Sequence, residues 1–200
     1  MLFTDRICSY FVGGVNGVGK TTLLDAIAKT QPGFRVVKGS NVLMDYLGIP
    51  GDYEALRTLP QEEKIDQFGR CLEGIFSHQN ENTLVDAHYL NLIRDEVYMA
   101  TGEWLCHFNA LVLVTAPTRQ ILGRIRRDRN RDRALFRVDR SLQERSLTDY
   151  KWKTLQEFQR QQEECAVPGL IISHQENGTA AAVQQFLEFH KEVQKTLQPA

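Results

Sequence analysis

The sequence predicts an α/β protein with a five-stranded parallel sheet and helices on both faces. Three observations carry that prediction. Short apolar runs rich in β-branched and aromatic residues recur at 7–13, 34–38, 83–86, 110–115 and 169–173. Longer stretches of helical spacing separate them, as parallel strands require. The first run also opens directly onto a glycine-rich loop followed by a helix.

In order, residues 7–13 (ICSYFVG) read as a buried strand ending at glycines. Residues 21–29 (TTLLDAIAK) place Leu23, Leu24, Ile27 and Ala28 on one helical face, and Pro32-Gly33 closes the helix. FRVVK at 34–38 is the second strand. A polar-rich helical region runs from 42 to about 78, broken near 48–51 and at Pro60. TLVD at 83–86 and ALVLVT at 110–115 are the third and fourth strands, and a long arginine-rich helical stretch follows. GLIIS at 169–173 is the fifth strand, and 179–197 is an amphipathic closing helix. Phe158, Phe186 and Phe189 fall at positions that face a sheet, whereas Trp104, Cys106 and His107 read as packing residues.

With 200 residues, 42% of them hydrophobic and 24% charged, the chain fits a single globular domain. No apolar run is long enough for a membrane span, so no membrane partner is expected. Asp5 and Arg6 precede a glycine loop where an export signal would have a cleavage site, which points to a soluble, cytoplasmic protein. The four cysteines (Cys8, Cys71, Cys106, Cys165) are scattered, and the expectation is four reduced thiols. A net charge of −1 does not favour nucleic acid as a partner.

Residues 14–21 (GVNGVGKT) match G-x-x-x-x-G-K-[ST] between a strand and a helix. Glycines allow successive N–H groups to turn inward as a nest for phosphate oxygens, and the helix N-terminus adds its positive dipole end. The cofactor-binding candidates are Gly14, Asn16, Gly17, Val18, Gly19, Lys20, Thr21 and Thr22. Lys20 supplies a mobile charge for the β- and γ-phosphates, and the Thr21 hydroxyl can ligate Mg²⁺. Asp86, ending the third strand, is the candidate second metal residue, and His88, two residues on, is a candidate substrate contact with a structural role as the alternative. ATP and Mg²⁺ are therefore the expected cofactors.

The [NT]-K-x-D element of guanine-specific switches does not follow LVLVT, and no LSGGQ signature of transporter ATPases occurs. Instead Arg119, Arg124, Arg126, Arg127, Arg129, Arg131, Arg133, Arg137, Arg140 and Arg145 crowd one short stretch, interleaved with Asp128 and Asp132. Arginine forks suit bidentate phosphate contacts, which favours a phosphate-clamping lid over a solvated face or a nucleic-acid patch.

At these residues the sequence resembles the nucleoside monophosphate kinase group, and most closely the archaeal-type adenylate kinases. GGVNGVGKTT resembles that family's phosphate loop. GSNVLMDYLG, EALRTLP and FGR resemble its acceptor region, and TLVDAHYL its V-D-T-H strand end. ALVLVTAPTRQIL with RNRD resembles its fourth strand and short lid. The resemblance implies a three-layer α/β/α P-loop kinase fold with a helical acceptor-binding insert at about 39–80 and a lid at about 124–147. It implies Ser40, Arg57 and Arg70 along the acceptor site. Arg124, Arg129 and Arg131 would act on the transferring phosphoryl group beside Lys20. Where the family has a Lys-Thr-Pro-type segment, this chain has Asn91-Leu92-Ile93-Arg94, and Arg94 stands in for the charge. A stretch at about 134–153 is additional.

The resulting expectation is transfer of the ATP γ-phosphoryl group to a nucleoside monophosphate, with AMP the leading acceptor. Two alternatives share the same motifs: a kinase of another metabolite, nucleoside or nucleic-acid end, and a non-kinase nucleotide-binding regulator or ATPase.

Overall fold

The computed structural model describes residues 6–93, 96–127 and 140–197. β1 (Ser9–Gly13) lies at the centre of a five-stranded sheet, buried along its whole length. It pairs in parallel with β3 (Asn82–Asp86) on one side and with β6 (Ala110–Thr115) on the other. β2 (Phe34–Lys38) extends the sheet beyond β3, and β7 (Gly169–Ser173) extends it beyond β6, both in parallel. The order β2-β3-β1-β6-β7 places the reversal of strand order beside β1, where open α/β sheets bind ligands. The register brings Lys38 opposite Asp86, Asp86 opposite Val12, and Gly13 opposite Leu113, so the carboxyl ends meet along one edge.

Alternation along the strands fills both faces, as a doubly covered sheet demands. Tyr10 and Val12, with Ala110, Val112 and Val114, pack into one core with Leu23, Leu24 and Ile27 of α1 (Lys20–Thr30) and Phe186 and Phe189 of α7 (Thr179–Thr196). Phe11, Leu111 and Leu113 pack into the other core with Phe68 and Leu72 of α4 (Gln61–Ser77), Trp104, Phe108 and Phe158. Between β2 and β3 the chain forms α2 (Gly39–Tyr46), α3 (Tyr53–Thr58) and α4, interrupted where Gly48 and Gly51 adopt positive φ and where Pro60 precedes α4. α5 (Thr118–Arg127) follows β6.

Three features differ from the sequence expectation. Leu90–Ile93 (β4) and Glu96–Met99 (β5) pair antiparallel as a separate two-stranded sheet, which their four-residue length and lack of a glycine turn concealed. From Arg140 onward the additional stretch is continuous with the following helix, forming one element, α6 (Arg140–Cys165). The expectation of four reduced cysteines is corrected. Cys106, in a short 3₁₀ turn at Glu103–His107, forms a disulfide with Cys165 at the end of α6, while Cys8 and Cys71 are buried thiols. A separation of 59 residues hid the pair from any spacing rule. Among the described residues no helix is long and apolar enough to cross a membrane.

Candidate active site

The loop after β1 is shaped by three glycines that no other residue could replace without strain. Gly14, Gly17 and Gly19 have φ of +148°, +82° and +94°. A Cβ on Gly19 would lie 2.4 Å from His174 Nδ1, and one on Gly17 would lie 2.6 Å from Ile125 Cγ1. The loop is thus pressed against α5 and the end of β7, and α1 starts immediately after it at Lys20.

Lys20 is only 7% exposed, and its Nζ donates to the Gly14 carbonyl oxygen at 3.0 Å. The same nitrogen lies 3.8 Å from Asp86 Oδ1. Thr21 Oγ1 donates to Asp86 Oδ2 at 2.9 Å. A hydroxyl and a carboxylate side by side form a hard-oxygen pair of the kind Mg²⁺ prefers, so these two residues fit the metal that the motif implies. His88 Nδ1 lies 2.8 Å from the Gly14 carbonyl oxygen, which must be accepting, so His88 shares that oxygen with Lys20.

Arg124 is turned toward the loop. Its Nη1 donates to the Val18 carbonyl oxygen at 2.6 Å and its Nη2 to the His174 carbonyl oxygen at 3.2 Å. His174 Nδ1 lies 3.3 Å from the same Val18 oxygen, and its Nε2 lies 3.0 Å from Thr179 Oγ1. Burial, aided by the Arg124 charge, pushes the His174 imidazole below its ordinary pKa. A neutral ring therefore braces the loop at pH 7.

A cavity of about 530 Å³ opens from the loop. Asn16, Gly17, Val18, Gly19, Lys20, Thr21, Thr22, Asp86 and His88 line its nucleotide side, joined by Ser40 at the start of α2. Its other wall contains Tyr53 and Leu56 of α3 and Gln61, Lys64, Ile65 and Phe68 of α4. Gln61 Nε2 donates to the Met99 carbonyl oxygen at 2.9 Å, and Tyr53 Oη donates to Asn41 Oδ1 at 3.0 Å. Lys38, Asn41 and Asn91 complete the polar lining.

Two expected acceptor residues lie elsewhere. The Arg57 side chain is 60% exposed and pairs with Glu54, and that of Arg70 is 61% exposed and pairs with Asp66. Each guanidinium answers a carboxylate three or four residues earlier on its own helix and leaves the cavity wall to its neighbours. Arg94, Arg129 and Arg131 lie outside the described residues. Lys38, Asn41, Tyr53, Gln61, Lys64 and Asn91 were not anticipated. For Gln61 and Lys64 the signal was present: after Pro60, positions 61, 64, 65 and 68 recur at the spacing of one helical face.

A family model described as AAA domain (AAA_17) matches residues 13–140. No curated protein gives a significant match. Among solved structures the fold is similar to shikimate kinase from Acinetobacter baumannii in complex with shikimate, at TM-score 0.64 and 17% identity over 97% of both chains. It is also similar to shikimate kinase from Bacteroides thetaiotaomicron, at TM-score 0.60 and 14% identity over 93% of this chain and 99% of that one. A gluconokinase from Sinorhizobium meliloti 1021 matches at TM-score 0.55 and 15% identity over 96% of this chain and 97% of that one. These likenesses establish the three-layer P-loop kinase fold. Since the model spans more than half of the sequence, the chain belongs to the AAA domain family AAA_17.

Proposed function

We propose that the protein transfers the γ-phosphoryl group of ATP to a hydroxyl group of a small polar metabolite. The observation that carries this reading is the continuity of the cavity, which joins Lys20, Thr21 and Asp86 to a wall of α3 and α4. A pure nucleotide switch needs only the first half. The structural likeness to shikimate kinase and gluconokinase supports a metabolite acceptor. The placement of Arg57 and Arg70 on the outer surface supports it too, because a nucleoside monophosphate brings a dianion that arginine forks suit. Nucleoside monophosphate transfer, with AMP as acceptor, is the second reading. It is favoured by Ser40, which lines the cavity within the acceptor motif that resembles the adenylate kinases.

In the proposed reaction the loop amides and the α1 N-terminus hold the ATP phosphates. Lys20 exchanges the Gly14 carbonyl for phosphate oxygens. Thr21 and Asp86 would hold Mg²⁺, which when bound neutralises phosphate charge. The acceptor oxygen bonds to the γ-phosphorus as the bond to the β–γ bridging oxygen breaks. ADP departs and the hydroxyl proton is released. Positioning and charge neutralisation dominate such a transfer, so the site requires no covalent nucleophile.

The test is ADP formation from MgATP with hydroxylated metabolites and nucleoside monophosphates, beside Lys20→Ala. The expected result is acceptor-dependent ADP formation that falls by about 10²–10³-fold or more in the variant, the scale for loss of one electrostatic stabiliser. ADP formation that no acceptor stimulates contradicts the proposal.

A further inference from the structure

Gln61, Lys64, Ile65 and Phe68 form one stripe of α4, and all four line the cavity. Within that stripe Lys64 is unlike the other cations of the acceptor-side helices, Arg57 and Arg70, whose exposed side chains pair with their own acids. Lys64 is half-buried, and its Nζ donates to the carbonyl oxygen of Arg57 at 3.4 Å. No carboxylate of the described residues lies within ion-pair distance of it. It also stands near the start of α4, where the helix dipole disfavours a cation, and burial lowers its ammonium pKa.

Among the described residues lining the cavity, Asp86 is the sole carboxylate, and it is engaged by Thr21 and Lys20. No carboxylate of the described cavity lining is left to pair with Lys64, so its ammonium is open to an anionic group of a ligand. Around it stand the apolar side chains of Leu56, Ile65 and Phe68 and the polar groups of Gln61 and Asn91, surroundings suited to a compact molecule with one acidic end. We infer that the acceptor is a small hydroxylated carboxylic acid whose carboxylate is held by Lys64 while its hydroxyl is presented to the phosphate loop. This assignment deepens the proposed kinase reading and rests on it. A nucleoside monophosphate makes the opposite demand, since its phosphate is the reacting group and belongs beside Lys20.

The experiment uses the full chain as wild type, Lys64→Met and Lys64→Arg. The probes are D-glycerate, D-gluconate and quinate, each beside its methyl ester or parent alcohol, with AMP beside adenosine. ADP formation is measured with MgATP. Binding without ATP is followed by the NMR signal of isotopically methylated Lys64, assigned by its loss in Lys64→Met. The expected result is an acid that shifts the Lys64 signal and is favoured about tenfold or more over its neutral partner. Lys64→Met erases the preference and Lys64→Arg restores part of it. A Lys64 signal that no hydroxy acid moves overturns the inference, as does a preference that survives in Lys64→Met. ADP formation stimulated by AMP or neutral alcohols and insensitive to Lys64→Met overturns it while leaving the kinase reading intact. Acid binding at Lys64 without acid-dependent ADP formation overturns the assignment of the acid as acceptor through failure of the kinase reading, and leaves only an acid-binding site.

Discussion

The two walls of the cavity are built on different physical principles. The nucleotide wall is made by backbone geometry: three glycines at positive φ, a carbonyl shared by Lys20 and His88, and a helix starting at the loop's end. The acceptor wall is made by side chains from α2, α3 and α4, brought together only when those helices pack on the sheet edge. A backbone nest recognises any polyphosphate, whereas a side-chain wall must be composed afresh for each acceptor. The first wall therefore defines a reaction class, and the second defines a substrate.

Variants can break the comparison in order of expected effect. Gly19→Ala attacks the nucleotide wall where a Cβ meets both His174 and Arg124. The left-handed backbone alone costs about 1–2 kcal/mol, so ATP affinity measured by titration falls by roughly tenfold or more. Unchanged ATP affinity would mean that the loop tolerates another shape.

The brace beneath the loop gives a pH dependence. His174 has a folded-state pKa below its ordinary 6.5, so the neutral form is favoured by folding. Its contribution is full above about pH 6.5 and is lost as pH falls from there toward the lowered value, because the unfolded chain takes up the proton more readily. Thermal melts from pH 8 to pH 5 should show a loss below about pH 6.5 that is smaller in His174→Gln. An identical profile in that variant would exclude the ring as its source.

The smallest effects belong to the outer face of the acceptor helices. Arg57→Ala and Arg70→Ala each remove an exposed pair within one helix, worth about 0.5 kcal/mol or less. Melting temperature and acceptor KM should hardly move. A large rise in acceptor KM for Arg57→Ala would restore the arginine-based acceptor site that the resemblance implied.

The sequence disclosed the nucleotide wall because its constraints are local. Glycine spacing, the following Lys20 and Thr21, and the flanking strand and helix all lie within one short segment. All five sheet strands were visible too, most clearly β6, because burial on both faces leaves a continuous apolar run such as ALVLVT, whereas the edge strand β2 keeps Arg35 and Lys38 exposed. The acceptor wall was not visible in the same way. Arg57 and Arg70 drew attention as charges, but helical phase turned them outward, whereas Lys64 lies on the inward phase. The β4–β5 ribbon and the Cys106–Cys165 bond depend on pairings between segments, which no single-segment pattern encodes.

The measurement that bears most directly on the central claim is the stoichiometry of the reaction with MgATP, with ADP and the phosphorylated acceptor quantified together by ³¹P NMR. The account predicts one phosphorylated hydroxy compound for each ADP formed, with both products falling together by about 10²–10³-fold or more in Lys20→Ala. ADP accompanied only by inorganic phosphate, unaffected by any acceptor, would contradict it and leave an ATPase in its place.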